Sequence, residues 1–330
     1  WVISVMLPPM AIFFPLFTLL EDLGYLPRIA FNVDGVFKKC KTCGKQALTM
    51  AMGFGCNAVG VSGCRIIDSP RERLIAILTN SFVPCNGRFP TLIAIITMFF
   101  AGVGGGISNS FLSVLLLILV ISLGIGITFI ISKILSNTLL KGIPSSFTLE
   151  LPPYRKPQVG KVIVRSIFDR TLFVLGRAVS IAIPAGLIIW LMANINVGNS
   201  SLLNICSGVL DPLGRLIGMD GVILLAFILG FPANEIVIPI IIMSYMATGN
   251  LVEIDNLNIL KQLLIDNGWT WTTAVSVMLF SLMHWPCSTT CLTIKKETSS
   301  WKWTALSILI PTICGFIICF IFNLIVKIFI

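Results

Sequence analysis

The sequence predicts an all-α, polytopic membrane protein of about seven to eight helical segments. Of its 330 residues, 56% are hydrophobic and only 11% are charged, whereas soluble domains carry about 25% charged residues. The mean hydropathy is +0.98, and several apolar runs reach the ~20 residues that a helix needs to cross a bilayer. These observations exclude a soluble fold and make the lipid bilayer the first partner of the chain.

The chain has a net charge of +9, from 23 Lys and Arg against 14 Asp and Glu. A basic excess often indicates nucleic-acid binding, but here the basic residues lie between apolar runs, as in short cytoplasmic loops. We therefore expect no nucleic-acid partner.

Seven apolar runs are candidate spans by length. They are Trp1–Leu20, Leu74–Phe100, Phe111–Ile131, Leu172–Ile195, Val222–Met246, Thr272–Ile294 and Trp303–Ile330. A shorter run, Gln46–Val61, predicts a half-helix or a re-entrant segment. Basic loops at 28–45, 62–73, 133–170 and 295–302 cannot all face one side if every run simply crosses the membrane.

Three of the long runs are interrupted by short stretches of polar residues that include a proline, at Pro84, Pro232 and Pro286. In lipid, broken helices persist only where they line a cavity or are buried in protein. Because proline frees the carbonyl four residues before it, we expect free carbonyls at Asn80 and Leu282.

The shorter run contains two further breaking residues, Gly53 and Gly55, in the stretch GFGCNAVG. We expect these glycines to end the half-helix in a left-handed turn. The negative end of its dipole would then point toward Cys56, an arrangement that suits a cation.

Two similar halves are predicted, comprising residues 1–132 and 172–330. The basic linker at 133–171 that separates them is expected to be cytoplasmic. Each half contains the pattern Gly-Phe-x-x-Asn in one apolar run and Pro-Cys in a later one. Paired interruptions in corresponding halves are a sequence pointer to the binding site of a transporter.

Thiol, carboxylate and amide groups stand at these breaks, which favours transient binding of a borderline-soft divalent metal. The predicted metal ligands are Cys56, Asn57, Cys85, Asn234, Glu235 and Cys287. A carboxylate at mid-membrane depth is costly and indicates a functional site. A single buried cysteine is more often a small hydrophobic residue, so the thiols are assigned by their position at breaks.

For four further residues, the sequence leaves more than one role open. His284 is predicted to be a metal ligand, a proton acceptor or a packing residue. Cys291 lies four residues after Cys287 and shares its helix face if the helix continues. Cys40 and Cys43 form a lone CxxC, which fits a redox pair, half of a metal site or an intermolecular contact.

The motifs GFGCNAVGV, FVPCNGRFP, LGFPANEIVIP and LMHWPCSTTC resemble those of the ferrous iron transporter B family (FeoB). The resemblance implies Fe²⁺ uptake across the bacterial inner membrane by a multi-pass protein. It also implies an N-terminal domain that binds GTP and Mg²⁺, which this chain, beginning without Met, is expected to lack. Small accessory Feo proteins and a homo-oligomer are further expected partners.

Other function classes remain as alternatives. The chain contains no GxxxxGK[ST], HExxH or GxSxG motif, so no enzyme activity is expected within it. A gate-domain transporter of nucleoside-type substrates would use aromatic and amide contacts without metal. A non-transporting scaffold would have no cavity at the breaks.

Overall fold

The computed structural model describes residues 8, 11–13, 15–20, 23–102, 107–142, 160, 173–197, 200–247, 249, 251, 254 and 256–329. The predicted linker, apart from its first ten residues and Gly160, lies outside the described residues. So does much of the first predicted span.

Helices account for nearly all of the regular structure. They are α1 (Tyr25–Lys39), α2 (Lys45–Gly55), α3 (Asn57–Gly63), α4 (Pro70–Thr79), α5 (Phe89–Ile96), α6 (Ile107–Asn137), α7 (Phe173–Asn194), α8 (Leu202–Leu216), α9 (Gly221–Leu229), α10 (Val237–Tyr245), α11 (Leu257–Asp266), α12 (Trp271–Met283), α13 (Ser288–Thr298) and α14 (Trp301–Phe329). Two-residue strands β1 (Asn196–Val197) and β2 (Ser200–Ser201) pair in antiparallel fashion. The predicted all-α class is confirmed.

Among the described residues, three helical segments are long and apolar enough to cross a membrane. They are Ser108–Asn137, Trp271–Thr298 and Trp301–Phe329. Helices α8 and α9 pass the same test as a pair bent by 108°. The predicted interruptions of the runs Leu74–Phe100 and Val222–Met246, at Pro84 and Pro232, are confirmed, because the chain is broken within each of them.

The chain folds into two compact units. The first unit comprises Trp1–Asn86, Leu123–Ser180 and Ser288–Ile310, and the second comprises Gly87–Ser122, Ile181–Cys287 and Pro311–Ile330. Each unit therefore takes its residues from three separate stretches of chain and from both predicted halves. The division of the sequence at 133–171 stays a prediction.

In the first unit, α2 and α3 form a hairpin that reverses direction at Cys56. The two helices pack against each other, and Cys43, just before α2, shares a buried cluster with Cys64, just after α3. Lys45 at the start of α2 forms an ion pair with Asp68 beyond α3. Both ends of the hairpin therefore lie together, so the chain reverses direction within Gln46–Val61; whether this segment is re-entrant stays a prediction.

The second unit contains a corresponding hairpin made of α9 and α10. Asp220 caps α9 by accepting a hydrogen bond from the Ile223 amide at 2.7 Å, and it also accepts one from the Tyr245 hydroxyl at the end of α10. The hairpin is thus closed at its base. This reversal is the reason that Val222–Met246, although apolar throughout, is not one span.

The same hydrogen bond is found at the start of the hairpin in each unit. In the first unit, the Gly44 amide donates to Asp34 Oδ1 at 2.7 Å; in the second, the Gly221 amide donates to Asp211 Oδ1 at 3.1 Å. A Cβ on either glycine would lie 2.0 Å from a backbone carbonyl oxygen of the preceding helix. Only glycine permits this approach, so the sequence repeat is also a structural one.

The reversal itself is repeated as well. Cys56 joins α2 to α3 with φ −158° and ψ 123°, and Ala233 precedes the 3₁₀ turn Asn234–Ile236 with φ −153° and ψ 119°. An extended residue therefore precedes the next helical turn in each unit; it alone separates the helices in the first unit, whereas residues 230–233 do so in the second. The two halves differ at this residue, which is a thiol in the first and a methyl group in the second.

Basic segments meet at one end of the first unit. Arg71 donates to the Lys41 carbonyl at 2.7 Å and to the Leu140 carbonyl at 3.0 Å, while Arg65 forms a two-bond ion pair with Glu297 at 2.7 and 2.8 Å. Parts of all four basic loops thus lie at the same end. Because the hairpin of α2 and α3 returns the chain to the end from which it started, the segments before and after it can lie together.

We predict that Gly44→Ala and Gly221→Ala each destabilise the protein by ~2 kcal/mol or more, because the new methyl group would overlap backbone. Matched controls are Gly35→Ala and Gly208→Ala, where a Cβ would meet nothing within 4 Å. Thermal unfolding in detergent measures the effect. Equal melting temperatures for the two pairs of variants would contradict the close-approach role.

Candidate functional site

Cys56 lies at the tip of the first hairpin and is buried. Its carbonyl accepts the Val59 and Gly60 amides at 3.0 and 2.9 Å, so α3 starts directly after the break. The side chain, 8% exposed, belongs to an apolar cluster with Phe17 and Met52. The Met52 thioether, which the sequence reading passed over, adds a second soft sulfur to this cluster.

The expected left-handed turn at Gly53 and Gly55 is wrong. Neither glycine has a positive φ, because α2 runs through both of them and the extended conformation of Cys56 makes the break. Gly53 instead makes room for polar side chains: a Cβ there would lie 3.0 Å from Asn80 Oδ1 and 3.4 Å from Asn57 Oδ1. A Cβ on Gly55 would contact the Phe13 ring.

Asn57 and Asn80 are 3% and 2% exposed. The Asn80 side chain donates through Nδ2 to the Asn57 backbone carbonyl at 3.0 Å, which ties the turn before Pro84 to the hairpin tip. The Oδ1 atoms of both asparagines are buried and have no hydrogen-bond partner among the described residues. The sequence analysis considered only the carbonyl of Asn80 and not its side chain. An asparagine within an apolar run is the signal that could have identified it.

Pro84 and Cys85 lie in an irregular segment between the 3₁₀ turn Asn80–Phe82 and α5. The Asn80 carbonyl accepts the Val83 amide at 3.3 Å. The expectation that Pro84 leaves this carbonyl free is therefore wrong, because a 3₁₀ turn replaces the lost helical bond. The Cys85 side chain is buried, with 8% exposure.

Glu235 follows the extended residue of the second hairpin and is 6% exposed. Its Oε1 is buried without a hydrogen-bond partner among the described residues. A Cβ on Gly87 would lie 2.6 Å from Oε2, so glycine at this position leaves space for the carboxylate. The role of Gly87 was not foreseen, because nothing in the sequence connects PCNG to PANE.

The break at Pro286 leaves carbonyl groups at the end of α12, and a buried arginine binds them. Arg88, 1% exposed, donates from Nη1 to the Leu282 carbonyl at 2.8 Å. Its Nη2 donates to the His284 and Trp285 carbonyls at 3.0 and 3.3 Å. The prediction that Pro286 frees the Leu282 carbonyl is confirmed, and a positive charge at a helix C-terminus is stabilising.

His284 is the buried C-cap of α12, 1% exposed. Its Nδ1 contacts the Phe280 and Ser281 carbonyls at 3.2 and 2.9 Å, which assigns the proton to Nδ1. Its Nε2 lies 3.3 Å from Asn234 Oδ1. Because a proton on Nδ1 leaves Nε2 as an acceptor, a hydrogen bond here requires the Asn234 amide to turn so that its Nδ2 donates. The imidazole ring packs against Phe227. His284 thus holds the Asn234 side chain at the second break.

The remaining predicted residues are dispersed. Cys287 is half-buried in the break before α13, and Cys291 is buried on that helix. Pro232 lies in the turn between α9 and the 3₁₀ turn. Cys40 and Cys43 are not joined by a disulfide. Burial and the neighbouring Glu72 carboxylate raise the pKa of Cys43 to about 12, which disfavours a reactive thiolate.

Within the described ranges, no three His, Cys, Asp or Glu side chains form a group that would hold a metal ion. The structure instead places predicted ligands in each unit: Cys56, Asn57 and Cys85 in the first, and Asn234 and Glu235 in the second. Their assignment as metal ligands stays a prediction.

A cavity of about 350 Å³ lies in the second unit, away from these residues. Its lining includes the side chains of Asn194, Asn204 and Ser244. Among the described residues, its lining contains amides but no aromatic ring, whereas the nucleoside alternative predicts both aromatic and amide contacts.

Comparison with protein families identifies two matching models. A model described as "Gate: Nucleoside recognition" matches residues 3–100 and 175–301, and both hairpins fall within these ranges. A model described as "Ferrous iron transport protein B C terminus" matches residues 117–169. The chain belongs to the ferrous iron transport protein B family. The family resemblance of the break motifs is thereby confirmed.

Curated relatives of the FeoB family are similar along nearly the whole chain. The Fe(2+) transporter FeoB of Staphylococcus aureus (strain MSSA476) is 32% identical, covering 99% of this chain and 48% of the relative. That of Methanocaldococcus jannaschii is 26% identical, covering 98% and 48%. A Fe(2+) transport protein A/Fe(2+) transporter FeoB fusion protein of Porphyromonas gingivalis is 25% identical, covering 97% and 42%. The chain spans about half the length of the curated relatives it matches, and no solved structure matches it.

We predict that Arg88→Ala lowers stability by at least ~3 kcal/mol, because three buried carbonyl groups lose their donor. Arg88→Lys should restore part of the loss, since an ammonium cannot reproduce the fork of the guanidinium. Thermal unfolding in detergent is the measurement. The control is Arg215→Ala, whose side chain is 78% exposed and paired with Asp211, and which should cost under ~1 kcal/mol. Equal losses of stability in Arg88→Ala and Arg215→Ala would contradict the role of Arg88 in binding the carbonyl groups at the end of α12.

Proposed function

We propose that this chain is the membrane permeation core of a ferrous iron transporter. The observation that carries the proposal is the pair of re-entrant hairpins, with a buried thiol at one tip and a buried carboxylate beside the other. The names of the FeoB relatives support Fe²⁺ as the transported ion. A chain with long apolar helices and buried polar breaks is what a multi-pass transporter requires.

Iron is the cargo in this proposal. In the first unit, Cys56 and Cys85 supply thiols, which bind well once a nearby metal promotes their ionisation. In the second unit, Glu235 supplies a carboxylate oxygen, and Asn234 and Cys287 complete the set of contacts. A mixture of soft sulfur ligands and hard oxygen ligands suits Fe²⁺, although affinity alone does not favour iron over Co²⁺ or Zn²⁺.

Contact with the ion is transient, and the chemistry of Glu235 supports this. Its Oε1 has no hydrogen-bond partner among the described residues, so a cation gains a ligand there without displacing one. A buried carboxylate left without a partner is costly, and a passing cation offsets that cost while it is bound.

We further propose that GTP and Mg²⁺ bind a separate N-terminal domain of the whole protein and regulate opening. The Feo A/B fusion relative supports small accessory Feo proteins as partners. A bacterial inner-membrane location agrees with the family. We also propose that the protein forms a homo-oligomer.

The orientation follows from the basic end of the first unit. Arg65, Arg71 and Lys41 lie at that end with the start of the predicted linker. Because cytoplasmic segments carry the excess of Lys and Arg, we propose that this end faces the cytoplasm.

Replacing the proposed ligands should lower transport without unfolding the protein. We expect Glu235→Gln and Cys85→Ser each to reduce Fe²⁺ uptake by proteoliposomes by ~10-fold or more, the size of effect typical of an altered metal shell. Uptake is measured with the full-length protein, with and without GTP.

Cys314→Ser is the matched control, because Cys314 is a half-buried thiol within the continuous helix α14 and is not one of the proposed ligands, and uptake should be unchanged. Membrane content and melting temperature are compared for all variants. Unchanged uptake in both Glu235→Gln and Cys85→Ser would overturn the assigned ligands.

The proposed orientation predicts that a cysteine at exposed Lys302, in a cysteine-free background, reacts with a membrane-impermeant maleimide only in inside-out vesicles. A permeant maleimide should label it in both vesicle types. Labelling from the outside of intact cells would reverse the orientation.

A second candidate function has one observation in its favour, the description of the matching gate model as nucleoside recognition. It requires a nucleoside, and no metal, to bind at the breaks. Equilibrium binding of radiolabelled nucleosides and of Fe²⁺ to the same purified protein separates the two. Saturable nucleoside binding without Fe²⁺ binding would favour the second candidate.

A further inference from the structure

Two amide oxygens converge inside the first unit with no donor to satisfy them. Both Asn57 Oδ1 and Asn80 Oδ1 are buried without a hydrogen-bond partner among the described residues. Both lie within 3.4 Å of one point, the position that a Cβ on Gly53 would occupy. Each unpaired buried oxygen costs about 1–3 kcal/mol, so a ligand that satisfies both is favoured.

The surrounding backbone contributes further oxygen atoms. Asn80 lies against Gly60 of α3, where a Cβ would be 2.8 Å from Asn80 Oδ1 and 2.8 Å from the Thr49 carbonyl oxygen. A helical carbonyl retains a second lone pair after its helix bond is made. Oxygen atoms of α2, α3 and the Asn80 turn therefore lie close to Gly53 and Gly60, where the Asn80 Nδ2 is also 2.7 Å from the Gly60 Cβ position.

The direction in which the Asn80 amide points is determined by its own hydrogen bond. Because Nδ2 donates to the Asn57 carbonyl at 3.0 Å, Oδ1 must face the other way, toward Gly53. Glycine at both positions 53 and 60 gives the amide its space.

We propose that Asn57 Oδ1 and Asn80 Oδ1 bind a monovalent alkali cation, with Na⁺ as the natural probe. All the oxygens identified are neutral, coming from amides and backbone, and such oxygens near the end of a half-helix are the usual ligands of Na⁺ in membrane transporters. Divalent ions need carboxylates to offset their dehydration. The site is structural and lies within one unit, and it does not depend on iron being the cargo.

The cation should stabilise the first hairpin. We expect the full-length protein in detergent, free of iron, to melt ~3 °C or more higher in 150 mM NaCl than in choline chloride of equal ionic strength. Mg²⁺ added to the choline sample at a few millimolar should produce no comparable rise. Because the parent protein itself is measured, the test does not depend on a variant that folds.

Two variants locate the effect. Asn80→Leu should reduce the difference between Na⁺ and choline to under ~1 °C. Asn57→Asp keeps the backbone carbonyl that Asn80 binds and adds a charge, so it should melt lower than the parent in choline and recover in Na⁺, with a half-maximal Na⁺ concentration lowered by ~10-fold. Thr128→Val is the control, since this buried hydroxyl bonds only the Gly124 carbonyl of its own helix; its Na⁺ effect should match the parent's.

Three results would overturn the proposal. Equal melting in Na⁺, K⁺ and choline would mean that a buried water, or an Asn57 amide turned to donate to Asn80, satisfies the oxygens. A Na⁺ effect that persists in Asn80→Leu would place the ion elsewhere. Stabilisation of the parent by Mg²⁺ as large as that by Na⁺ would exclude a neutral monovalent site.

Discussion

A polar backbone group exposed inside a bilayer must find a partner within the protein, and this constraint organises both broken regions. At the end of α12, the guanidinium of Arg88 binds the carbonyls that proline frees. At the first hairpin, the Asn80 amide binds the carbonyl of Asn57. Without such donors each break would cost several kcal/mol in lipid, so a break and its donor have to occur together.

Close approach is the second condition for the hairpins. Gly44 and Gly221 let an aspartate and a helix carbonyl reach the backbone at the hairpin base, where a methyl group would overlap. Gly53 and Gly60 give the same freedom to a side chain, the amide of Asn80. The glycines of these motifs therefore act through their small size and not through a left-handed conformation.

The same backbone design carries different chemistry in the two units. The extended residue at the reversal is Cys56 in one and Ala233 in the other, and the following Asn is accompanied by Glu235 only in the second. A thiol therefore stands in the first unit where the second has a methyl group. The Glu235 carboxylate has no counterpart in the first unit, where Ala58 follows Asn57.

The sequence by itself determined the membrane class, the helical character, the positions of the breaks and the internal repeat, because hydropathy, proline and paired motifs are local signals. Its family membership followed from the same motifs. Only the tertiary structure decided that the chain reverses direction within Gln46–Val61 and Val222–Met246, since reversal depends on packing between helices and on contacts such as Asp220 with Tyr245. It alone brought Arg88 to α12, Gly87 to Glu235 and Asn80 to Asn57, because these partners are distant in sequence and no periodicity relates them.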